Sequence, residues 1–302
     1  MFICDNVEEN IFSIGDRRGM KTSNKRKVVL FGILIFLLFL LIQFIVGVAG
    51  GIVAVIPVAI SKGGNFDYVE LVKEVQPVIL FASELVSMAV FGFWYYIKYV
   101  KRETLTEDLR VDKEVHENPW NVKSVGFIVC STVVTFCVAL LISHFISALS
   151  PTSYDIFNSV MNTAMGDGDL IGYLTVMLAA PIAEELAYRG ILLQKSKTAF
   201  GIKGCIILNA LLFAAMHLNP IQSLYAIPIG MTLTYLAYRY DTVGASILAH
   251  VLNNSISVLL PLALNRDLNN IEVVIALVLF MVPTVLLSGA TRTMRVTTKE
   301  AY

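Results

Sequence analysis

Glu184 and Glu185 lie side by side in an apolar stretch, residues 173–193, that is long enough to cross a lipid bilayer. An ionisable side chain at mid-membrane costs roughly 2.5–3.5 kcal/mol even on lenient insertion scales, so such residues mark functional positions. Two histidines, His217 and His250, lie in two later apolar segments. Carboxylates and imidazoles are the groups that most often transfer protons in enzymes. The sequence therefore indicates a reaction site within the membrane.

The span that carries the two glutamates is expected to present them on different faces of a helix. Adjacent positions differ by about 100° around a helix axis, so Glu184 and Glu185 cannot point in the same direction. Glu185 and Arg189 are spaced i,i+4 and are expected to form an ion pair, which leaves Glu184 to face a cavity. Pro181 lacks an N–H group and is expected to kink the helix just before the pair.

The composition predicts that these segments are transmembrane helices. Of the 302 residues, 56% are hydrophobic and 15% are charged, whereas soluble proteins carry about 25% charged residues. The net charge of zero gives no reason to expect a nucleic-acid partner, and membrane lipid is the expected surrounding. Because lipid offers no hydrogen bonds to the backbone, we predict an all-α integral membrane protein with about eight transmembrane helices. The apolar stretches are 28–49, 76–99, 122–149, 170–194, 203–218, 221–239, 243–261 and 271–289.

The placement of Lys and Arg predicts the orientation of these helices. Positively charged residues, Lys or Arg, are frequent before position 28, at 98–113, at 195–203 and after position 290, whereas residues 150–170 contain neither type. Only the loop 50–75, which contains Lys62 and Lys73, departs from this alternation. The positive-inside rule then places both termini in the cytoplasm of a multi-pass protein of the cell membrane. The predicted organisation is a cytoplasmic tail (1–27), a single membrane domain (28–290) with a core at 170–262, and a second tail (291–302).

This orientation brings the polar side chains to similar depths. At about 1.5 Å of rise per residue, Glu184 is predicted to lie roughly 16 Å from the cytoplasmic face, and His217 roughly 21 Å. His250 and Asn254 are predicted at roughly 14 and 20 Å on one helix face, with Asn253 turned about 100° away. Three helices thus supply polar groups at one level of the membrane, which favours a single site inside an intramembrane cavity.

Three short motifs lie in order on separate spans. They are EExxxR at 184–189, FxxxH at 213–217 and HxxxN at 250–254. In this order and spacing they resemble the CPBP family of intramembrane proteases, which includes CAAX prenyl proteases, bacteriocin-processing enzymes and bacterial Abi proteins. The resemblance covers residues 172–261. It implies an eight-span fold with a cavity that opens inside the membrane, and peptide-bond hydrolysis by a glutamate-activated water.

Hydrolysis of an amide without a Ser or Cys nucleophile requires an activated water and a stabilised oxyanion. Glu184 is the expected general base, and His217 is expected to hold the same water and help to protonate the leaving amine. His250 and Asn254 are expected to donate hydrogen bonds to the oxyanion. The substrate is expected to be a membrane-associated peptide or protein, with its identity left open. The residues expected to support this site are Glu185, Arg189 and Phe213.

Two other functions fit part of the pattern. Glu184, His217 and His250 could form a His₂Glu zinc site with an open fourth position. However, the chain has no HExxH motif, so metal-independent chemistry with no cofactor is favoured. A non-catalytic membrane protein, such as a proton-coupled transporter or an immunity factor, is the second alternative, because mid-membrane acids and histidines also suit a proton relay. The sequence has neither the internal repeat nor the symmetric broken helices of many transporters.

Several polar residues also have a purely structural interpretation. EExxxR could be an ion pair that holds helices together, and Asn254 could form an interhelical hydrogen bond. Glu84 is a lone acid in the second span, with Ser83 and Ser87 nearby. For Glu84, the sequence leaves open whether it lines the cavity or makes a structural hydrogen bond.

Overall fold

The computed structural model describes residues 5–61, 67–101, 117–165 and 169–299, and every regular element within these ranges is a helix. A π-helical turn, Tyr96–Val100, continues the second helix, and the fifth helix contains two π-helical segments. The helices are α1 (Asp5–Ser61), α2 (Tyr68–Tyr95), α3 (Val122–Leu149), α4 (Pro151–Met165), α5 (Leu170–Ser196), α6 (Ile202–Met216), α7 (Pro220–Tyr240), α8 (Val243–Leu264) and α9 (Asn270–Lys299).

Six helices of the described ranges are long and apolar enough to cross a membrane. They are Asn24–Val58 within α1, Glu74–Val100, α3, α5, α8 and Asn270–Gly289 within α9. These helices confirm the prediction of an all-helical, multi-pass membrane protein. Helix α6, with 15 residues, is shorter than the six, and α7 is not among them. The count of eight spans and the cytoplasmic placement of both termini therefore remain predictions.

Two helical regions differ from the sequence-based expectation. Helix α1 has 57 residues and begins at Asp5, so the described part of the polar leader continues directly into the first span. Helix α4 occupies the Lys- and Arg-free segment between α3 and α5, where only a loop was expected. None of its residues is buried, which is consistent with a helix that lies across one end of the bundle.

Short capped turns hold α6, α7 and α8 next to one another. Asn219 caps α7 because its side-chain oxygen accepts hydrogen bonds from the backbone N–H groups of Ile221 and Gln222. Pro220 follows at the first helical position, where a missing N–H carries no penalty. Thr242 caps α8 in the same way by accepting from Gly244. The turn at Asn219 and Pro220 makes α6 and α7 a helical hairpin.

Close packing of α6 against α7 depends on one small residue. A Cβ atom at Gly230 would lie 3.0 Å from the Cα atom of Ala210 and 3.1 Å from the ring of Phe213. The absence of a side chain at Gly230 thus lets the two backbones approach and keeps the Gly230 carbonyl within reach of α5. Helix α5 is the most enclosed element, with Ala183, Tyr188 and Leu192 fully buried, while many apolar side chains of α1 and α9 face outward.

Candidate active site

Helix α5 widens on both sides of the two glutamates. The short α-helical piece Ala180–Glu185 lies between two π-helical segments, Thr175–Ala179 and Leu186–Leu192. The Ala180 N–H donates to the carbonyl of Thr175, five residues earlier, which is the hydrogen-bond spacing of a π-helix. Pro181 cannot donate a backbone hydrogen bond, so this widening occurs where a kink was expected. Such segments are frequent at functional sites.

Glu185 and Arg189 form the ion pair that their spacing predicted. The distance from Arg189 Nη1 to Glu185 Oε1 is 2.7 Å, and both side chains are fully buried. Arg189 also donates from Nη2 to the Gly230 carbonyl oxygen at 3.0 Å, and its guanidinium lies 4.6 Å from the centre of the Phe213 ring. These contacts surround the buried cation on three sides, although its Nε has no hydrogen-bond partner, and the pair connects α5 to α6 and α7.

His250 joins the same carboxylate from helix α8. Its Nδ1 lies 2.9 Å from Glu185 Oε1, the oxygen that Arg189 also contacts. A carboxylate accepts, so Nδ1 must carry the hydrogen, and Nε2 is the nitrogen available to other groups. Nε2 lies 3.7 Å from Glu184 Oε2. Glu185 therefore orients the imidazole toward Glu184, a contact that the sequence did not predict.

Glu184 is the more accessible carboxylate of the two. Its side chain is 13% exposed, whereas that of Glu185 is fully buried. This difference in exposure is expected for two residues that face different directions, and the expectation that Glu184 faces a cavity stays a prediction.

Phe213 occupies the centre of the site. Its ring packs edge-on against His217, His250 and Tyr188, at centroid distances of 5.1, 5.6 and 5.6 Å. His217 lies one turn later, and its Nδ1 is 3.0 Å from the Phe213 carbonyl oxygen. Because a carbonyl only accepts, Nδ1 donates and the Nε2 of a neutral His217 is an acceptor. Phe213 and its carbonyl thus fix the orientation of one imidazole and pack against the other.

Asn254 makes an interhelical hydrogen bond to the first π-helical segment of α5. Its Nδ2 donates to the Val176 carbonyl oxygen at 2.9 Å. Asn253, expected to be turned away, donates from Nδ2 to Asn254 Oδ1 at 3.2 Å and is itself buried. The neighbouring residue therefore fixes which way the Asn254 amide points, and one of the two amide protons of Asn254 is already used.

Glu84 extends the polar region to α1 and α2. Its Oε1 accepts a hydrogen bond from Gln43 Nε2 at 2.7 Å, and Gln43 Oε1 accepts from Ser83 Oγ at 2.5 Å. Glu84 is 7% exposed, and its Oε2 is buried without a hydrogen-bond partner. Glu84 is close enough to Glu184 for the two carboxyl groups to interact electrostatically. Of the two interpretations left open by the sequence, the structural hydrogen bond is present, and Glu84 also lies near Glu184; that it lines a cavity stays a prediction. The sequence analysis missed Gln43, whose only signal was a lone amide in an apolar run.

The zinc alternative requires Glu184, His217 and His250 to converge as three ligands. Among the residues that the structure describes, no three His, Cys, Asp or Glu side chains are grouped closely enough to hold a metal ion. The Nδ1 atoms of both histidines are engaged by protein oxygen atoms. Metal-bound histidines are oriented by the same kind of contact, so only the spacing of the three side chains argues against an open His₂Glu site, and we derive no chemical step through a metal.

Residues 167–256 match the family model described as Type II CAAX prenyl endopeptidase Rce1-like. The matched segment contains all three motifs and leaves α1 to α3 outside it. The match confirms the resemblance to CPBP and CAAX proteases and indicates a membrane peptidase that acts on a peptide or protein substrate. No curated protein and no solved structure gives a significant match to the chain.

Proposed function

We propose that this protein is an intramembrane endopeptidase in which Glu184 activates a water molecule to hydrolyse a peptide bond. The observation that carries this proposal is the 3.7 Å distance between His250 Nε2 and Glu184 Oε2, which joins the first and third motifs in one site. In the sequence the same residues are separated by more than sixty positions. Their contact in the fold supports a shared chemical role.

Glu184 takes the role of general base because its neighbour is already neutralised. Glu185 is held at Oε1 by Arg189 at 2.7 Å and by His250 at 2.9 Å, so its negative charge is already compensated. Glu184 has no such cation bound to it and is the more exposed of the two. It removes a proton from water as the water oxygen bonds to the substrate carbonyl carbon.

The two histidines and Asn254 complete the proposed mechanism. The acceptor nitrogen of His217 holds the attacking water, and the proton that Glu184 removes passes to the leaving amine directly or through His217. His250, protonated on both nitrogens, donates through Nε2 to the oxyanion of the tetrahedral intermediate. The second N–H of Asn254, not used by Val176, is the other donor. When the C–N bond breaks, the oxyanion collapses to the new carboxyl group.

The substrate class that we propose is a peptide or protein held at the membrane. The match to prenyl endopeptidases suggests proteins with a prenylated C-terminal cysteine, while leader peptides, pheromone precursors and bacteriocins of a bacterial host fit the same chemistry. We propose the cell membrane as the location. No cofactor is needed for the steps described, and the sequence gives no reason to expect binding to nucleic acid.

The experiment is a cleavage assay with pure protein in liposomes. Prenylated and unprenylated versions of the same peptides are offered, products are identified by mass spectrometry, and the Glu184→Gln variant is the matched control. We expect wild type to release a product with a new carboxyl terminus and the variant to release none. Equal product from both proteins would refute the proposal, and transport of an ion across the same liposomes would favour the non-enzymatic alternative.

A further inference from the structure

Glu84 is a buried acid for which the proposed mechanism has no use. It lies on α2, outside the segment 167–256 that matches the family model. Helix α2 packs directly against α5 on both sides of the glutamate pair. After the pair, Gly92 faces Leu186 and Gly190 faces Tyr95. Glu84 is therefore on the helix that forms one wall beside the catalytic residues.

The surroundings of Glu84 favour a neutral carboxyl group. Its recorded partner is an uncharged amide, Gln43, and no Lys, Arg or His of the described residues forms an ion pair with it. From α5, the carboxyl group of Glu184 is close enough to Glu84 to interact with it electrostatically. A second negative charge close to the ionised Glu184, in an apolar region, would be unfavourable because of both desolvation and repulsion.

A neutral Glu84 is a hydrogen-bond donor without an acceptor. Oε1 is oriented by Gln43, which is itself fixed by Ser83, so the hydroxyl is assigned to Oε2. Oε2 is buried and has no hydrogen-bond partner. A buried polar group left unpaired is expensive, and functional sites are where such groups find their partner in a ligand.

We propose that Glu84 binds the substrate main chain, donating a hydrogen bond from Oε2 to a backbone carbonyl of the peptide beside the cleaved bond. The chain Ser83–Gln43–Glu84 holds the carboxyl in this orientation before the substrate arrives. Every residue of a peptide has a carbonyl, so this contact positions an extended substrate without selecting its sequence. The inference depends on the proposed peptidase function, and it adds a subsite supplied by α1 and α2.

The test measures substrate binding separately from catalysis. All proteins carry Glu184→Gln, which prevents cleavage. We compare the Kd of a fluorescent peptide substrate for the parent, which retains Glu84, and for the Glu84→Leu and Glu84→Gln variants. Leucine removes the donor, and we expect Kd to rise about tenfold, as for a peptide carbonyl left buried and unpaired. Glutamine has the shape and the hydrogen-bond donor of a neutral acid. We therefore expect the Kd of Glu84→Gln to stay within about twofold of the parent value, a smaller change than a missing hydrogen bond would cause.

A substrate series locates the carbonyl. Each substrate in the series has one peptide bond replaced by an ester, which weakens one carbonyl acceptor. The ester at the contacted position should bind the parent protein more weakly than the normal peptide does. It should bind the Glu84→Leu variant no more weakly than the normal peptide does. Ser87→Ala is the matched control, because Ser87 is equally buried one turn later on α2 and has a hydroxyl without a partner. It should bind like the parent.

The outcomes separate this inference from the proposed function. An unchanged Kd with Glu84→Leu, or ester effects that persist at full size in that variant, would overturn the substrate contact. Equal losses with Glu84→Gln and Glu84→Leu would mean that a charged group is required and would also overturn it. If Glu84→Leu does not fold, the double variant Gln43→Leu/Glu84→Leu removes both polar partners and replaces it. Failure of the peptidase function itself would appear as wild-type protein that cleaves no peptide, whatever residue occupies position 84.

Discussion

His250 Nδ1 lies 2.9 Å from Glu185 Oε1, and the same oxygen accepts a hydrogen bond from Arg189. The second glutamate of EExxxR is therefore shared by a permanent cation and an imidazole. It holds the ring of His250 with Nε2 facing Glu184. This relationship determines what each substitution in the site should do.

Glu184→Gln should abolish cleavage and leave the fold intact. Glutamine keeps the shape of the side chain and removes the base, and the buried ion pair stays intact because Arg189 contacts Glu185. The measurements are turnover of the purified variant and its thermal unfolding midpoint beside wild type. A variant that retains a tenth of wild-type turnover would exclude Glu184 as the group that activates water.

Glu185→Ala should reduce both stability and activity. It strands a buried guanidinium, which costs on the order of 3–5 kcal/mol, and it releases His250 from its orientation. Unfolding in denaturant measures the first effect and the cleavage assay the second. A double variant, Glu185→Ala with Arg189→Met, should recover part of the stability and none of the activity. Additive losses at the two positions would contradict the coupling that the ion pair requires.

Asn254→Ala should lower kcat by about 10²–10³-fold with little change in KM if its free N–H stabilises the oxyanion. If its bond to Val176 is its whole role, the same change should cost about 0.6–2 kcal/mol of stability and leave kcat nearly unchanged. Asn253→Ala is expected to give a smaller loss of kcat, because Asn253 orients the Asn254 amide. Ser257→Ala, on an exposed part of the same helix, is the control and should match wild type.

Phe213→Leu should lower turnover more than stability. Leucine fills much of the same volume, but it removes the flat ring against which His217 and His250 both pack. Phe213→Ala removes the volume as well and should destabilise the protein by about 3–5 kcal/mol. Parallel measurements of kcat and unfolding separate the two variants. Turnover of Phe213→Leu equal to wild type would show that the ring only fills space.

Removal of metal should leave activity unchanged. Prolonged dialysis against dipicolinate tests this, together with elemental analysis of the pure protein, which should find less than one zinc per chain. Addition of zinc to the dialysed protein should not increase turnover. A stoichiometric metal whose removal and return switch activity off and on would instead make His217, His250 and Glu184 ligands and would replace the mechanism proposed here.

The local parts of this site could be predicted from the sequence, and the long-range parts could not. The Glu185–Arg189 pair follows from i,i+4 spacing, and the helical class follows from apolar runs of spanning length. The contact of Glu185 with His250 links residues 65 positions apart, and no periodicity within either span encodes it. The turn of Asn253 toward Asn254 was also missed, because a regular helix would separate their side chains by about 100°. Motif order indicated that these spans meet, but only the packing of α5 against α8 shows which atoms do.

The π-helical segments make the length of α5 as important as its composition. Each such segment accommodates one extra residue in a turn, so the pieces of α5 are set at rotations that an uninterrupted α-helix would not give. Deleting a single residue from Leu186–Leu192 would restore regular winding and turn everything on one side by about 100° relative to the other. A deletion among residues 186–188 would also shorten the Glu185–Arg189 spacing from four residues to three, even though every residue type of the motif was retained. For this helix, a one-residue change in chain length is therefore expected to be more damaging than most substitutions, and an alignment gap here would matter more than a mismatch.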